Sequence, residues 1–238
     1  MGRTIVILRA GDAVAEVRAT RGDFPIWIRE SAGHSWSGEW CAHDLRGEDP
    51  LPSLRDAAGF VITGSSASVT ERAPWMLRAE EFVRAIVTAN VPLFGICFGH
   101  QLIGQALGGL VARNPRGREL GTVRFERDAD AGPIFSGLPT EFSVNASHVD
   151  SVVRLPGGAR VLGKTALEPV SAFVVGLRTW GVQFHPEFDE GVVRGYIGAR
   201  SGAMRSEGLS PESALEAAAD APHGREVLRN FLRSIASA

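Results

Sequence analysis

An α/β fold on a mainly parallel central sheet is what this chain predicts, and three observations carry that reading. Short β-branched apolar runs alternate with longer stretches of helical period as far as Leu107. From Leu110 to Phe188 the texture changes to short alternating segments split by Pro-Gly and Gly-Leu-Pro turns, which extends the sheet with antiparallel strands or adds a layer. Beyond Glu187 the pattern is helical again.

Taken in order, Thr4–Leu8, Trp40–Asp44, Gly59–Thr63 and Pro92–Ile96 read as strands. Between the last two, Pro74 sits at a helix start and is followed by Trp75-Met-Leu, Phe82-Val and Ile86-Val at i, i+3, i+4 spacing. A second helix is expected directly after Cys97, running through Leu102-Ile to Leu107 and stopping at Gly108-Gly109. The antiparallel candidates are Thr122–Phe125, Glu141–Val144, Ser151–Leu155, Phe173–Val175 and Gly181–Phe184. Three helical stretches follow: Val192–Ile197, then Ser210–Ala217 with Ser210 as N-cap before Pro211, then Arg225–Leu232. No repeat, low-complexity tract or linker interrupts the chain, so a main domain over residues 1–190 with a helical extension over 191–238 packed on it is expected.

Composition limits the function classes. The 238 residues carry 44% apolar and 22% charged side chains and a formal net charge of -2, with basic residues scattered, so neither nucleic acid nor an anionic membrane is an expected partner. Two cysteines, Cys41 and Cys97, are too few for a disulfide scaffold, and the apolar part of Met1–Arg9 is too short for a secretion signal, so a cytoplasmic protein is expected. Nor does any run reach the roughly 18 apolar residues of a membrane span.

The chemistry concentrates in two places. Gly95-Ile-Cys97-Phe-Gly99 places a thiol between two glycines at the end of a strand and the start of a helix, the geometry of a nucleophile elbow. The helix dipole there favours thiolate over thiol. Far downstream, His185-Pro-Glu187 ends the apolar strand Trp180–Phe184 and offers a base with a carboxylate two residues on to orient it. A lone Cys in an apolar run is usually packing, but the flanking glycines and the His-x-Glu pair favour a cysteine hydrolase. Acyl chemistry also needs oxyanion donors: the amide of Phe98 and the small-residue loop Thr63-Gly64-Ser65-Ser66 are the candidates. Ser147-His148-Val149-Asp150 can hold a polar substrate or form a satisfied turn. Cys41, inside a strand, reads as packing; Trp36 and Trp40 read as core or rim, and the other histidines show no metal-ligand spacing.

These residues resemble the class I glutamine amidotransferases. Gly95-Ile-Cys97-Phe-Gly99-His-Gln101, His185-Pro-Glu187 and the Thr63-Gly64-Ser65 loop carry the resemblance, which spans the chain up to about Phe188. It is similar in particular to stand-alone members related to the amidotransferase portion of GMP synthase and to the γ-glutamyl peptidases. The resemblance implies a flavodoxin-like three-layer fold, Cys97 as nucleophile, His185 as base then acid, and Glu187 as its orienter. It also implies an oxyanion hole from Gly64, Ser65 and Phe98, substrate contacts from Gln101, Ser147, His148 and Asp150, and no cofactor or metal. Two positions depart from the family pattern: Gly-Ser stands where many members have Gly-Gly, and Val149 where Gly is common.

The implied substrate is glutamine or a small γ-glutamyl compound. The chain lacks a Gly-rich nucleotide loop and has too few residues left for a synthetase domain, so a complete GMP synthase is not expected, while a separate synthetase subunit is an allowed partner. The first alternative is a γ-glutamyl hydrolase or peptidase that acts on small γ-glutamyl compounds instead of feeding a partner. An ester or lactone hydrolase would place its acid before the His, and a redox sensor would not need His-Pro-Glu. A regulatory binding module would require a malformed oxyanion loop.

Overall fold

The computed structural model describes residues 4–236, so Met1–Arg3 of the first apolar segment lie outside the described residues. Eleven strands and seven α-helices alternate along it. The first half runs β1 (Thr4–Arg9), α1 (Ala15–Arg21), α2 (Phe24–Ala32), β2 (Glu39–Asp44), β3 (Ala57–Ile62), α3 (Pro74–Thr88), β4 (Leu93–Ile96) and α4 (Phe98–Ala106). The second half contains β5 (Leu110–Arg113), β6 (Glu119–Arg127), β7 (Glu141–His148), β8 (Asp150–Arg154), β9 (Ala159–Thr165), β10 (Ala172–Val175) and β11 (Thr179–Val182). The chain then continues through α5 (Glu190–Ser206), α6 (Pro211–Ala217) and α7 (Pro222–Ala236).

Nine strands form one sheet in the order β2-β1-β3-β4-β11-β10-β9-β6-β7. β2, β1, β3, β4 and β11 are mutually parallel, and the remaining pairings are antiparallel. The late segment Gly181–Phe184 therefore does not simply continue the antiparallel half: β11 crosses back to lie parallel to β4, with Gly181 opposite Gly95. β5 and β8 form a separate antiparallel ribbon. The strand order switches direction at β1, because β2 and β3 flank it on opposite sides, and ligand sites in such sheets collect at the carboxyl ends of the strands there.

Both faces of the sheet are covered, which explains the nearly continuous apolar runs of the parallel strands. Alternate residues of β1 serve the two sides: Ile5 and Ile7 join a cluster with α1, α2, α5 and α7, while Val6 and Leu8 join one with α3 and α4. The C-terminal helices share the first of these clusters. Phe231 of α7 is fully buried, stacking on Phe94 of β4 at 5.0 Å and meeting Trp180 of β11 edge-on at 5.8 Å. Burial of one such ring stabilises the fold by about 1.5–3 kcal/mol. Cys41 corrects the expectation of a packed thiol: β2 is the outer edge of the sheet and the side chain is exposed. Trp36 and Trp40 are partly buried against the rim of the same cluster.

Candidate active site

Cys97 follows β4 and caps the N-terminus of α4 with φ 51° and ψ -100°, a conformation that costs a non-glycine residue about 1–3 kcal/mol. The flanking glycines make this turn by allowing close approach. A Cβ on Gly95 would lie 2.5 Å from the carbonyl of Gly99, and one on Gly99 would lie 2.6 Å from the Ile62 carbonyl of β3. The strand, the turn and the helix thus pack backbone against backbone. The Cys97 amide donates to the Val182 carbonyl of β11 at 2.9 Å, which ties the elbow to the strand leading to His185.

His185 arrives from that neighbouring strand, its amide donating to the Asn145 carbonyl at 2.7 Å. The Asn145 side chain secures the same turn, donating to the Phe188 carbonyl at 3.1 Å. The ring is buried, and its Nδ1 stands 2.7 Å from Glu187 Oε1. Burial works against the charged ring. Yet the Glu187 carboxylate and the Cys97 sulfur outweigh it by charge and hydrogen bonding, pushing the imidazole up to about 10. Phe188 stacks on the ring at 4.0 Å, and Phe24 runs parallel to it at 6.1 Å. A Cβ on Gly64 would meet His185 Cε1 at 2.8 Å, so only glycine there leaves room for the imidazole.

The loop after β3 is held by Thr63. Its hydroxyl accepts from the Ala10 amide at 3.0 Å and donates to the Gly64 carbonyl at 2.9 Å. That bond fixes the Gly64–Ser65 peptide plane, and because the peptide is planar and trans, the Ser65 N–H points opposite to the anchored carbonyl. Among the described residues, neither the Ser65 amide nor the Phe98 amide has a protein acceptor. The Ser65 hydroxyl turns back to accept from the Ala67 amide at 3.1 Å, and its Cβ fills the space over Gly11. The Gly-to-Ser departure is thereby absorbed on the side of the β1 loop.

A cavity of about 220 Å³, smaller than a drug-sized ligand site, opens over Cys97 and is lined by all four residues of the Ser147–Asp150 segment. Those residues contribute in different ways. The Ser147 carbonyl lies 3.6 Å from the Cys97 sulfur. The His148 ring has no nitrogen to spare: Nδ1 meets the Asp150 carbonyl at 3.0 Å and Nε2 meets buried Glu119 at 3.1 Å, so the ring braces the wall. The Asp150 carboxylate accepts from the Ser68 hydroxyl. Gln101 spends both amide hydrogens on protein, at 2.9 Å to the Asp150 carbonyl and 3.1 Å to Gln183, which leaves its side-chain oxygen for a ligand.

Gln101, Asp150 and Ser68, linked by hydrogen bonds, line the cavity together with Glu71 and Arg118. Asp12, Val14 and Arg200 line it as well, as do Phe24 and Tyr196, whose ring centroids lie 6.1 and 6.5 Å from that of His185. The Nε and Nη2 groups of Arg118 are engaged by Glu207 at 2.8 and 3.1 Å. Burial pushes the Tyr196 hydroxyl up. Tyr196 and Arg200 escape a sequence reading because they sit mid-helix in α5, with no motif around them. Ser68 and Glu71 did carry a signal, the Ser-x-x-Glu capping box of a single 3₁₀ turn at Val69–Glu71. Among the described residues, no group of three or more His, Cys, Asp or Glu side chains could hold a metal ion, and no helix is long and apolar enough to cross a membrane.

The family described as Glutamine amidotransferase class-I matches residues 40–197. A GMP synthase [glutamine-hydrolyzing] of Aeropyrum pernix is 42% identical over 135 residues, covering 57% of this chain and 25% of that protein. Gamma-glutamyl peptidase 4 of Arabidopsis thaliana is 31% identical over 144 residues, covering 59% of this chain and 57% of the peptidase. The chain thus spans about a quarter of the length of the GMP synthase relatives that it matches first. A glutamine amidotransferase structure from Thermotoga maritima superposes with a TM-score of 0.76 at 22% identity over 100% of this chain and 98% of that one, a likeness of fold.

Proposed function

The chain belongs to the class I glutamine amidotransferase family, and from that premise we propose that it is a cysteine amidohydrolase acting on glutamine or a small γ-glutamyl compound. The observation that carries this reading is the juxtaposition of Cys97, on a strained elbow, with the hydrogen-bonded pair His185–Glu187, the thiol and the imidazole both lining one cavity of amino-acid size. In this reading the Cys97 thiolate attacks the γ-carboxamide carbon. The oxyanion that forms accepts from the amides of Ser65 and Phe98, with Gly64 keeping the loop close, and each such donor is worth about 10²–10³ in rate. Collapse of the tetrahedral intermediate breaks the C–N bond and expels ammonia or an amine carrying a proton from His185. A γ-glutamyl thioester remains on Cys97. Water, giving its proton to the same His, releases glutamate and restores the thiolate.

Glu187 keeps the imidazole in one tautomer and stabilises its charge throughout. In this reading the Gln101 side of the cavity takes the glutamyl half common to these substrates: the carboxylates of Asp150 and Glu71, which line it, suit an ammonium, and the Nη1 of Arg118, left over by Glu207, suits a carboxylate. Ser147 contributes its carbonyl and Gln101 its side-chain oxygen, with His148 as support. A second reading, an ammonia-delivering subunit for a separate synthetase in the cytoplasm, is favoured by the likeness to the amidotransferase portion of GMP synthases.

The test is glutamate release from glutamine and a panel of γ-glutamyl peptides, with Cys97→Ala as control. Turnover of at least one amide by the wild type and none by the variant is expected. Full activity in Cys97→Ala overturns the nucleophile. Absence of wild-type turnover on the whole panel overturns the stand-alone hydrolase in favour of the partner-dependent subunit.

A further inference from the structure

Next to the Cys97 cavity lies a second one of about 530 Å³, walled by the β1 loop, the loop after β3 and α5. The two share Asp12, Val14, Ser65, Ser66, Ala67 and Arg200, so they form one continuous depression with the candidate nucleophile at its inner end. Arg200, on the shared wall, lies one helical turn along α5 from Tyr196, whose ring centroid is 6.5 Å from that of His185, so this part of the opening between the cavities is on the His185 side of the first. A leaving amine that takes its proton from His185 departs in this direction, so the outer cavity is where any larger group attached to that amine must sit.

The charges there are unevenly paired. Asp12 is surrounded by Arg9 at 2.6 Å, Arg46 at 3.1 Å and Arg18 at 3.2 Å. The Arg46 hydrogen bond, and the charges of all three guanidinium groups, hold the Asp12 carboxyl below its usual range despite partial burial. Arg46 is further neutralised by Asp44 at 2.6 Å. Arg200, half-buried on the wall common to both cavities, has no carboxylate partner among the described residues. The other ionic group left over is Glu16, exposed on α1 at the outer wall. A guanidinium with its donors unspent, placed on the leaving-group side of a thioester-forming site, matches a carboxylate in a planar two-point contact.

We propose that Arg200 is a specificity-determining residue that binds a carboxylate on the amine half of the substrate, so that the preferred substrates are γ-glutamyl amides of amino acids or short peptides, with glutamine itself a poorer one. This rests on the amidohydrolase reading above. The glutamyl half is held at the Gln101 and Arg118 end, the scissile carbon sits at Cys97, and the far carboxylate reaches Arg200 through the shared opening.

Steady-state kinetics with γ-glutamylglycine and γ-glutamylethylamide tests the assignment, since the two differ by one carboxylate. The wild type is expected to favour γ-glutamylglycine in kcat/KM by about 10- to 100-fold, the worth of a charge-assisted contact. In Arg200→Gln that ratio should collapse toward one, chiefly through KM, and Arg200→Lys should restore part of it. Hydrolysis of both amides at similar kcat/KM by the wild type, or an unchanged ratio in Arg200→Gln, overturns the assignment and leaves the hydrolase reading standing. Hydrolysis of neither amide while glutamine is turned over likewise overturns the assignment alone, and absence of turnover on all three overturns both.

Discussion

His185 Nδ1 and Glu187 Oε1 lie 2.7 Å apart with both side chains buried, although only Pro186 separates them in the chain. Among the described residues the second Glu187 oxygen has no hydrogen-bond partner, so the carboxylate has this one ring to orient. Glu187→Gln keeps the shape and removes the charge. The expected outcome is a fall in kcat of about 10²–10⁴ with KM little changed, read from glutamate release. A variant within threefold of wild type would show that the carboxylate does not act on the ring.

The same pair fixes an alkaline limit to stability. The folded value of His185 is raised from 6.5 to about 10, so its contribution is complete below pH 6.5 and is lost as the pH climbs through 10. Urea midpoints at intervals between these values should fall for the wild type relative to His185→Gln. Parallel curves would contradict the pairing.

His100 works in the opposite window. The ring is fully buried against Gly181 and Phe173, and burial pushes it down to about 3 from 6.5. A folded value below the unfolded one gives stability that is present above pH 6.5 and drains away as the pH falls toward 3. Replacing His100 by Asn should flatten the acid limb of the urea-midpoint profile, whatever it does to the plateau.

The strain at Cys97 predicts an inverted ranking of variants. Glycine ordinarily costs a folded chain about 0.5–1 kcal/mol relative to alanine. At φ 51° the balance reverses, so Cys97→Gly should melt above Cys97→Ala. The usual order, with alanine the more stable, would mean that the elbow is not strained.

Thr63 gives a test of the oxyanion loop that leaves the nucleophile intact. Thr63→Val removes the hydroxyl that holds the Gly64 carbonyl, and a loss of about 10- to 100-fold in kcat, with KM nearly constant, is expected. Thr63→Ser should recover most of it. Equal losses in both variants would point to packing alone.

The elbow and the His-Pro-Glu turn were legible because each needs its residues adjacent in the chain: the glycines at 95 and 99 are demanded by backbone contact, and the strands before them show as short apolar runs buried on both faces. α1 and α2 were not legible, since they are short and lie between polar loops, and β5 and β9 were missed for want of a long apolar run. Cys41 was misplaced because an edge strand and a covered strand share one alternation; which one a segment becomes depends on what packs over it. His148 illustrates the same limit at the site: a polar motif marks a location, but the buried Glu119 opposite decides that the ring faces inward. Tyr196 and Arg200 reach the cavity only through the packing of α5 on α1, where Gly195 admits Val17.

Intact-protein mass spectrometry of acid-quenched turnover tests the central claim most directly. With γ-glutamylglycine as substrate, the wild type should carry one added γ-glutamyl group, mapped by proteolysis to the peptide that contains Cys97 and absent from Cys97→Ala. Release of glutamate by the wild type with no adduct at any quench time, together with undiminished release by Cys97→Ala, would contradict it.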